Sequence, residues 1–145
     1  MNPSNKGIKS YIRENKYIIL NIITSFSFGF LIYVIFRSNS IFNIIDKNLS
    51  ENWRIPNWIK YNLPDGLWLF SLNSTILLIW KNHRSLPFIF WIAFITSISI
   101  IIEYLQQHRI IKGTFDINDI FAYIISLITF VLLLVLRKNS QKHKS

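Results

Sequence analysis

The chain has 145 residues, enough for one domain; 51% are apolar, 16% aromatic and only 16% charged, with a formal charge of +9. The shortage of charge points to lipid-facing helices and away from an ordinary soluble domain. No cysteine is present, which excludes disulfides, thiolate metal sites and cysteine nucleophiles. The basic residues sit beside long apolar runs, as in membrane topology signals, so the positive balance is not read as nucleic-acid binding.

The first apolar run, 17–36, lies between Lys16 and Arg37 and carries no charge. Twenty residues in a helix cover about 30 Å, the thickness of a bilayer's hydrocarbon core. A cleaved signal peptide is the rival reading. The run is long for such a segment, and Arg37-Ser38-Asn39 has no small-residue cleavage pattern. Next comes a polar stretch containing Trp53, Trp58 and Tyr61, with Arg54, Pro56 and Lys60 between them. Indole and phenol rings favour the headgroup zone, so residues 51–62 are expected to lie on the membrane surface; a solvent loop is the alternative.

A second span is expected over residues 64–80, opened by Pro64, which suits a first helical turn. Ser25 and Gly29 in the first span form a small-xxx-small pair suited to helix packing, and Gly66 permits close approach in the second. A third span, 85–105, reaches Glu103 near its end, and a fourth, 118–136, holds Asp119 in its first turn and ends before Arg137. The chain is thus predicted to be all-α, a single membrane domain of about four helices with a short interfacial segment between the first two. One side of that arrangement carries ten Lys and Arg with one acid, Glu14. The other carries six basic residues and six acids: Asp46, Glu51, Asp65, Glu103, Asp116 and Asp119. Basic loops stay in the cytoplasm, so both termini are expected inside.

The candidate chemistry is at the outer end. At 100° per residue, Thr96, Ser99, Glu103, Gln106 and Gln107 fall within a stripe of about 100°. Asp116, Asp119, Tyr123 and Ser126 share a face of the last helix. The short link between these helices predicts antiparallel neighbours whose polar stripes meet. Other accounts compete at each position. Asp116 suits an N-cap and Asp119 the third residue of a capping box, both near the positive end of the helix dipole. Glu103 suits an interfacial pair with Arg109. Asp65 suits a helix start as well as membership of the acidic cluster. His108 is the one plausible imidazole base, and His83 is read as solvated. No phosphate loop, HExxH or readable Ser-His-Asp set appears, so no catalytic residue, metal ligand or cofactor is assigned.

Glu103-Tyr104-Leu105-Gln106, followed by Gly113-Thr114-Phe115-Asp116-Ile117-Asn118-Asp119-Ile120, resembles the signature of VanZ-like membrane proteins. That pattern is a Glu, a Gln three residues later, a short polar loop and an Asp opening the last helix. Asn and Gly usually follow that Asp by four and seven residues; Tyr123 and Ser126 stand there instead. The family's loop Arg has Lys112 as its nearest counterpart. The resemblance covers about the last third of the chain. It implies a small polytopic envelope protein, placed in a bacterial inner membrane, with Glu103, Gln106 and Asp119 as functional positions. The family's founding member is associated with resistance to a glycopeptide antibiotic.

Two functional classes follow. In one, an outward acidic and polar site at Glu103, Gln106, Asp116, Asp119, Tyr123 and Asp65 binds a lipid-linked or cell-wall component, or a cation. In the other, the chain is a non-catalytic subunit of a larger membrane complex. Membrane lipid, and in the second class other membrane subunits, are the expected partners; nucleic acid is not.

Overall fold

A computed structural model describes residues 3–36, 55–80 and 85–142, with side chains described over 15–36, 55–80 and 85–137. Five helices account for nearly all of this: α1 (Pro3–Phe36), α2 (Asn57–Tyr61), α3 (Leu63–Ile79), α4 (Leu86–Gln107) and α5 (Ile117–Lys142). No strand occurs among the described residues. Three stretches, Asn15–Phe36, Leu86–Gln107 and Ile117–Arg137, are long and apolar enough to cross a bilayer, the pattern of an integral membrane protein.

The 17-residue α3 is the shorter fourth apolar helix, about 26 Å long, and it occupies the middle of the bundle. It packs against α1, α5, α4 and α2. Eight of its residues are buried, around most of its circumference, while Leu72 and Ile79 stay exposed on one side. In α4 only Phe88 and Glu103 are buried, and its remaining surface is apolar and open. The apolar character of the two helices therefore has different causes: α3 packs against four other helices, whereas α4 leaves most of its apolar surface uncovered.

Two glycines set the spacing around α3. A Cβ on Gly66 would lie 3.0 Å from the Ala122 carbonyl oxygen, so α3 and α5 touch backbone to side there. A Cβ on Gly29 would lie 2.9 Å from Trp68 Nε1, so α1 meets α3 across the Trp68 indole. Tyr33 completes that contact, its ring 5.5 Å from Trp68. At the far end of the bundle Arg137 Nη2 donates to Asn15 Oδ1 at 3.0 Å, tying α5 to α1. Between these points the core is Ile18, Ile76, Leu77, Phe88 and Phe130.

The helices run past the expected spans. α1 begins at Pro3, well before residue 17, and α5 continues to Lys142. Hydropathy marks the part of a helix that suits lipid, whereas helical hydrogen bonding continues until a breaker intervenes. Of the surface segment expected over residues 51–62, the part from Asn57 to Tyr61 is helical, with Trp58 and Tyr61 exposed. Trp53 and His83 lie outside the described residues.

The α4–α5 link is built on a left-handed residue. Arg109 has φ 57°, its N–H bonds the Gln106 carbonyl and the Ile110 N–H bonds the Leu105 carbonyl, both at 2.9 Å. This is a Schellman ending with Arg where Gly is usual.

Candidate functional site

The polar residues of the α4–α5 end are gathered by an asparagine. Asn62 follows α2, precedes α3 and is 3% exposed. Its Nδ2 donates to Asp116 Oδ2 at 2.9 Å and to Asp119 Oδ1 at 2.7 Å. One amide nitrogen carries two protons, so each carboxylate receives one. Carboxylates only accept, which fixes the orientation of the amide.

Asp116 also caps α5. Its Oδ1 accepts from the Asn118 backbone N–H and from Asn118 Nδ2, each at 2.9 Å. A carboxylate at this position suits the orphan donors of a helix start. The Asn62 bond, followed by the Asn118 backbone N–H, holds the Asp116 carboxyl below the usual aspartate range.

Glu103 reaches the same region from α4. It is 4% exposed, and the Tyr123 hydroxyl donates to its Oε1 at a long 3.5 Å. The Asp119 charge and the Asp116 backbone amide act on the same carboxylate. Oε2 of Glu103 is buried without a hydrogen bond of good geometry. The pairing of Glu103 with Arg109 is not found: Arg109 is exposed and shaped by the helix ending, while Glu103 turns inward to Tyr123. Asp65, half-buried in the first turn of α3, exerts its charge on Tyr123.

The structure thus brings Asp65, Glu103, Asp116, Asp119 and Tyr123 to one end of the bundle. Gln106 shares that face of α4 but turns to the loop. Its side-chain amide lies over Gly113, where an added Cβ would be 2.5 Å from Gln106 Cδ, so the missing side chain of Gly113 makes its seat. His108 is exposed, its ring edge-on to Tyr104 at 4.4 Å, and it makes no hydrogen bond to any of these acids. Among the described residues no group of three or more His, Cys, Asp or Glu side chains is arranged to hold a metal ion.

Further polar groups lie deeper. Asn73 and Ser74 on α3 are fully buried, and neither amide atom of Asn73 nor Ser74 Oγ has a hydrogen-bond partner among the described residues. Thr96 Oγ1 and Ser126 Oγ are in the same condition. Ser99 and Thr129 instead bond the carbonyls of Ile95 and Ile125 one turn back. Thr96 is seven residues before Glu103 and Ser126 seven after Asp119, so each lies about 10 Å below its carboxylate on nearly the same face.

A groove opens beside these groups, between α1, α3 and α5, with a volume of about 620 Å³. Trp58, Asn62 and Asn118 border it at the acidic end, Leu67, Phe70 and Ile125 form its apolar walls, and Ser126 lines it lower down. Sequence reasoning passed over Asn62 and Asn73. Asn62 precedes Leu63-Pro64 as a cap would, yet no side-chain cap bond forms there. An Asn-Ser pair inside an apolar run is a readable signal, since buried amides in a span require a reason.

Compared with known proteins, the chain matches no family model, no curated protein and no solved structure.

Proposed function

We propose that this chain is a VanZ-like protein of the bacterial inner membrane that binds a lipid-linked or cell-wall ligand at the acidic end of its bundle. In this reading the chain crosses the membrane four times with both termini in the cytoplasm. The acidic end, holding Asp65, Glu103, Asp116 and Asp119, then faces outward. The observation that carries the reading is the convergence of α4, α5 and the α2–α3 junction on Asn62, Glu103, Asp119 and Tyr123. Ionisable groups at membrane depth are costly and tend to mark binding or transport sites. Burial of Glu103 beside Asp119, with one oxygen lacking a hydrogen bond of good geometry, is more than a helix end requires.

The test is copurification. The full chain is extracted from native membrane in mild detergent, and its bound lipids and proteins are identified together by mass spectrometry. A small molecule retained by the wild type and lost from Glu103→Gln and Asp119→Asn, with all three proteins equally helical and equally abundant, is the expected result. The same retained species in all three would reduce the acids to structural caps and overturn the reading. A reporter fused after Ser145 is expected to be active only in the cytoplasm.

A second reading, an accessory subunit of a membrane complex, is favoured by one feature. Phe90, Trp91 and Phe94 form an exposed aromatic cluster on α4, each ring 5.7 Å from the next. Protein recovered in fixed ratio through that copurification, and lost on Trp91→Ala, is its expected mark.

A further inference from the structure

We propose that the groove between α1, α3 and α5 holds one acyl chain of a membrane lipid whose headgroup sits at the Asn62–Asn118 rim. The inference deepens the reading above by naming the ligand class, and Asn62 is the residue the two share.

Three observations carry it. First, the groove is graded. Trp58, Asn62 and Asn118 stand at its mouth, where a headgroup belongs, and Leu67, Phe70 and Ile125 line its body, where a hydrocarbon chain belongs. Second, its length matches one leaflet. From Asn118 to Thr129 the α5 wall runs about 16 Å, half of the roughly 30 Å hydrocarbon core. A partner transmembrane helix would need a seat along the whole thickness. Third, its volume of about 620 Å³ lies within the range of pockets that enclose a small ligand, roughly 300–1,000 Å³.

The experiment uses the full chain in phosphatidylcholine vesicles doped with a phosphatidylcholine carrying a photoactivatable diazirine midway along one acyl chain. After irradiation, labelled residues are mapped by proteolysis and mass spectrometry. Leu67, Phe70 and Ile125 are expected to be labelled well above Phe90 and Phe94, which face lipid without a groove. Ile125→Trp fills the groove from an exposed position and is expected to bring Leu67 and Phe70 down to the α4 level. Thr129→Trp is a second filler should the first fail to accumulate.

Equal labelling of groove and α4, or groove labelling indifferent to both fillers, overturns the proposal. So does a groove that excludes the probe while α4 is labelled, the result expected if a second protein chain covers it. Glu103→Gln in the same vesicles separates the two readings. If groove labelling and the copurified species both persist in that variant, the acidic-site reading fails and the groove stands. If the copurified species is lost while wild-type labelling is uniform, the groove alone fails.

Discussion

The acidic end of the bundle and its middle both bury polar side chains, but they treat them in opposite ways. At the acidic end Asn62 divides its two protons between Asp116 and Asp119, and Tyr123 reaches Glu103. In the middle, Asn73, Ser74, Thr96 and Ser126 are buried without partners. The first arrangement stabilises the fold, because charge-assisted bonds recover part of the desolvation cost. The second costs stability unless something outside the chain supplies the missing bonds. Burial of a polar residue therefore does not by itself say whether that residue serves the fold or a ligand.

The largest effect is expected where the satisfied network is cut. Asn62→Leu leaves two carboxylates without their shared donor and is expected to cost about 3 kcal/mol. Unfolding in mixed micelles with increasing dodecyl sulfate, followed by circular dichroism, measures it. A loss under about 0.5 kcal/mol, no more than an ordinary surface substitution, would mean that the network contributes nothing to the fold.

The contact that brings α5 onto α3 comes next. Gly66→Leu drives a side chain into the Ala122 backbone, 3.0 Å from the position of the added Cβ, and is expected to cost about 2 kcal/mol by overpacking. Equal stability in the same micelle titration would show that the helices separate there freely.

The sharpest contrast is one of sign. Asn73→Leu removes no hydrogen bond made within the described residues and is expected to stabilise the purified protein by about 1 kcal/mol. Destabilisation on the scale of Asn62→Leu would give the middle of the bundle the same character as its end.

Tyr123→Phe removes a long bond of 3.5 Å and is expected to cost about 0.5 kcal/mol, again by dodecyl sulfate titration. The smallest effect is a pH dependence. Asp116 is held below its ordinary value, so it binds its proton more weakly folded than unfolded. Its contribution is complete above an unfolded value of about 3.9 and disappears as pH falls through the lower folded value. Carboxylate carbon shifts followed by NMR in micelles are expected to show Asp116 titrating below the ordinary aspartate range in the wild type. The main cause of the depression goes with the Asn62 amide, so in Asn62→Leu the titration moves upward.

How much of this was legible depends on the residue. Asp116 was readable as a cap, because capping is local: its acceptor meets an N–H two residues on. The meeting of Glu103 with Tyr123 followed from two helical faces joined by a short loop. Asn62 was not readable as the centre of the network. Its partners are 54 and 57 residues away, and no period or local motif spans that distance. Gln106 was legible only in part: its spacing put it on the shared face, while its contact with Gly113 depends on how the loop folds back over it.

Composition and periodicity alone determined that the chain is helical, apolar and suited to a bilayer, and that carboxylates crowd one end. These depend on hydrophobic runs and on the 3.6-residue repeat, both properties of neighbouring residues. Only the tertiary structure decided that the short α3 is the centre of the bundle. An apolar helix reads the same whether protein or lipid surrounds it, and the difference appears only when Gly29 and Gly66 let neighbours close on it. Tertiary packing likewise decided which buried polar groups find partners, because a hydrogen bond depends on where the second atom stands in space.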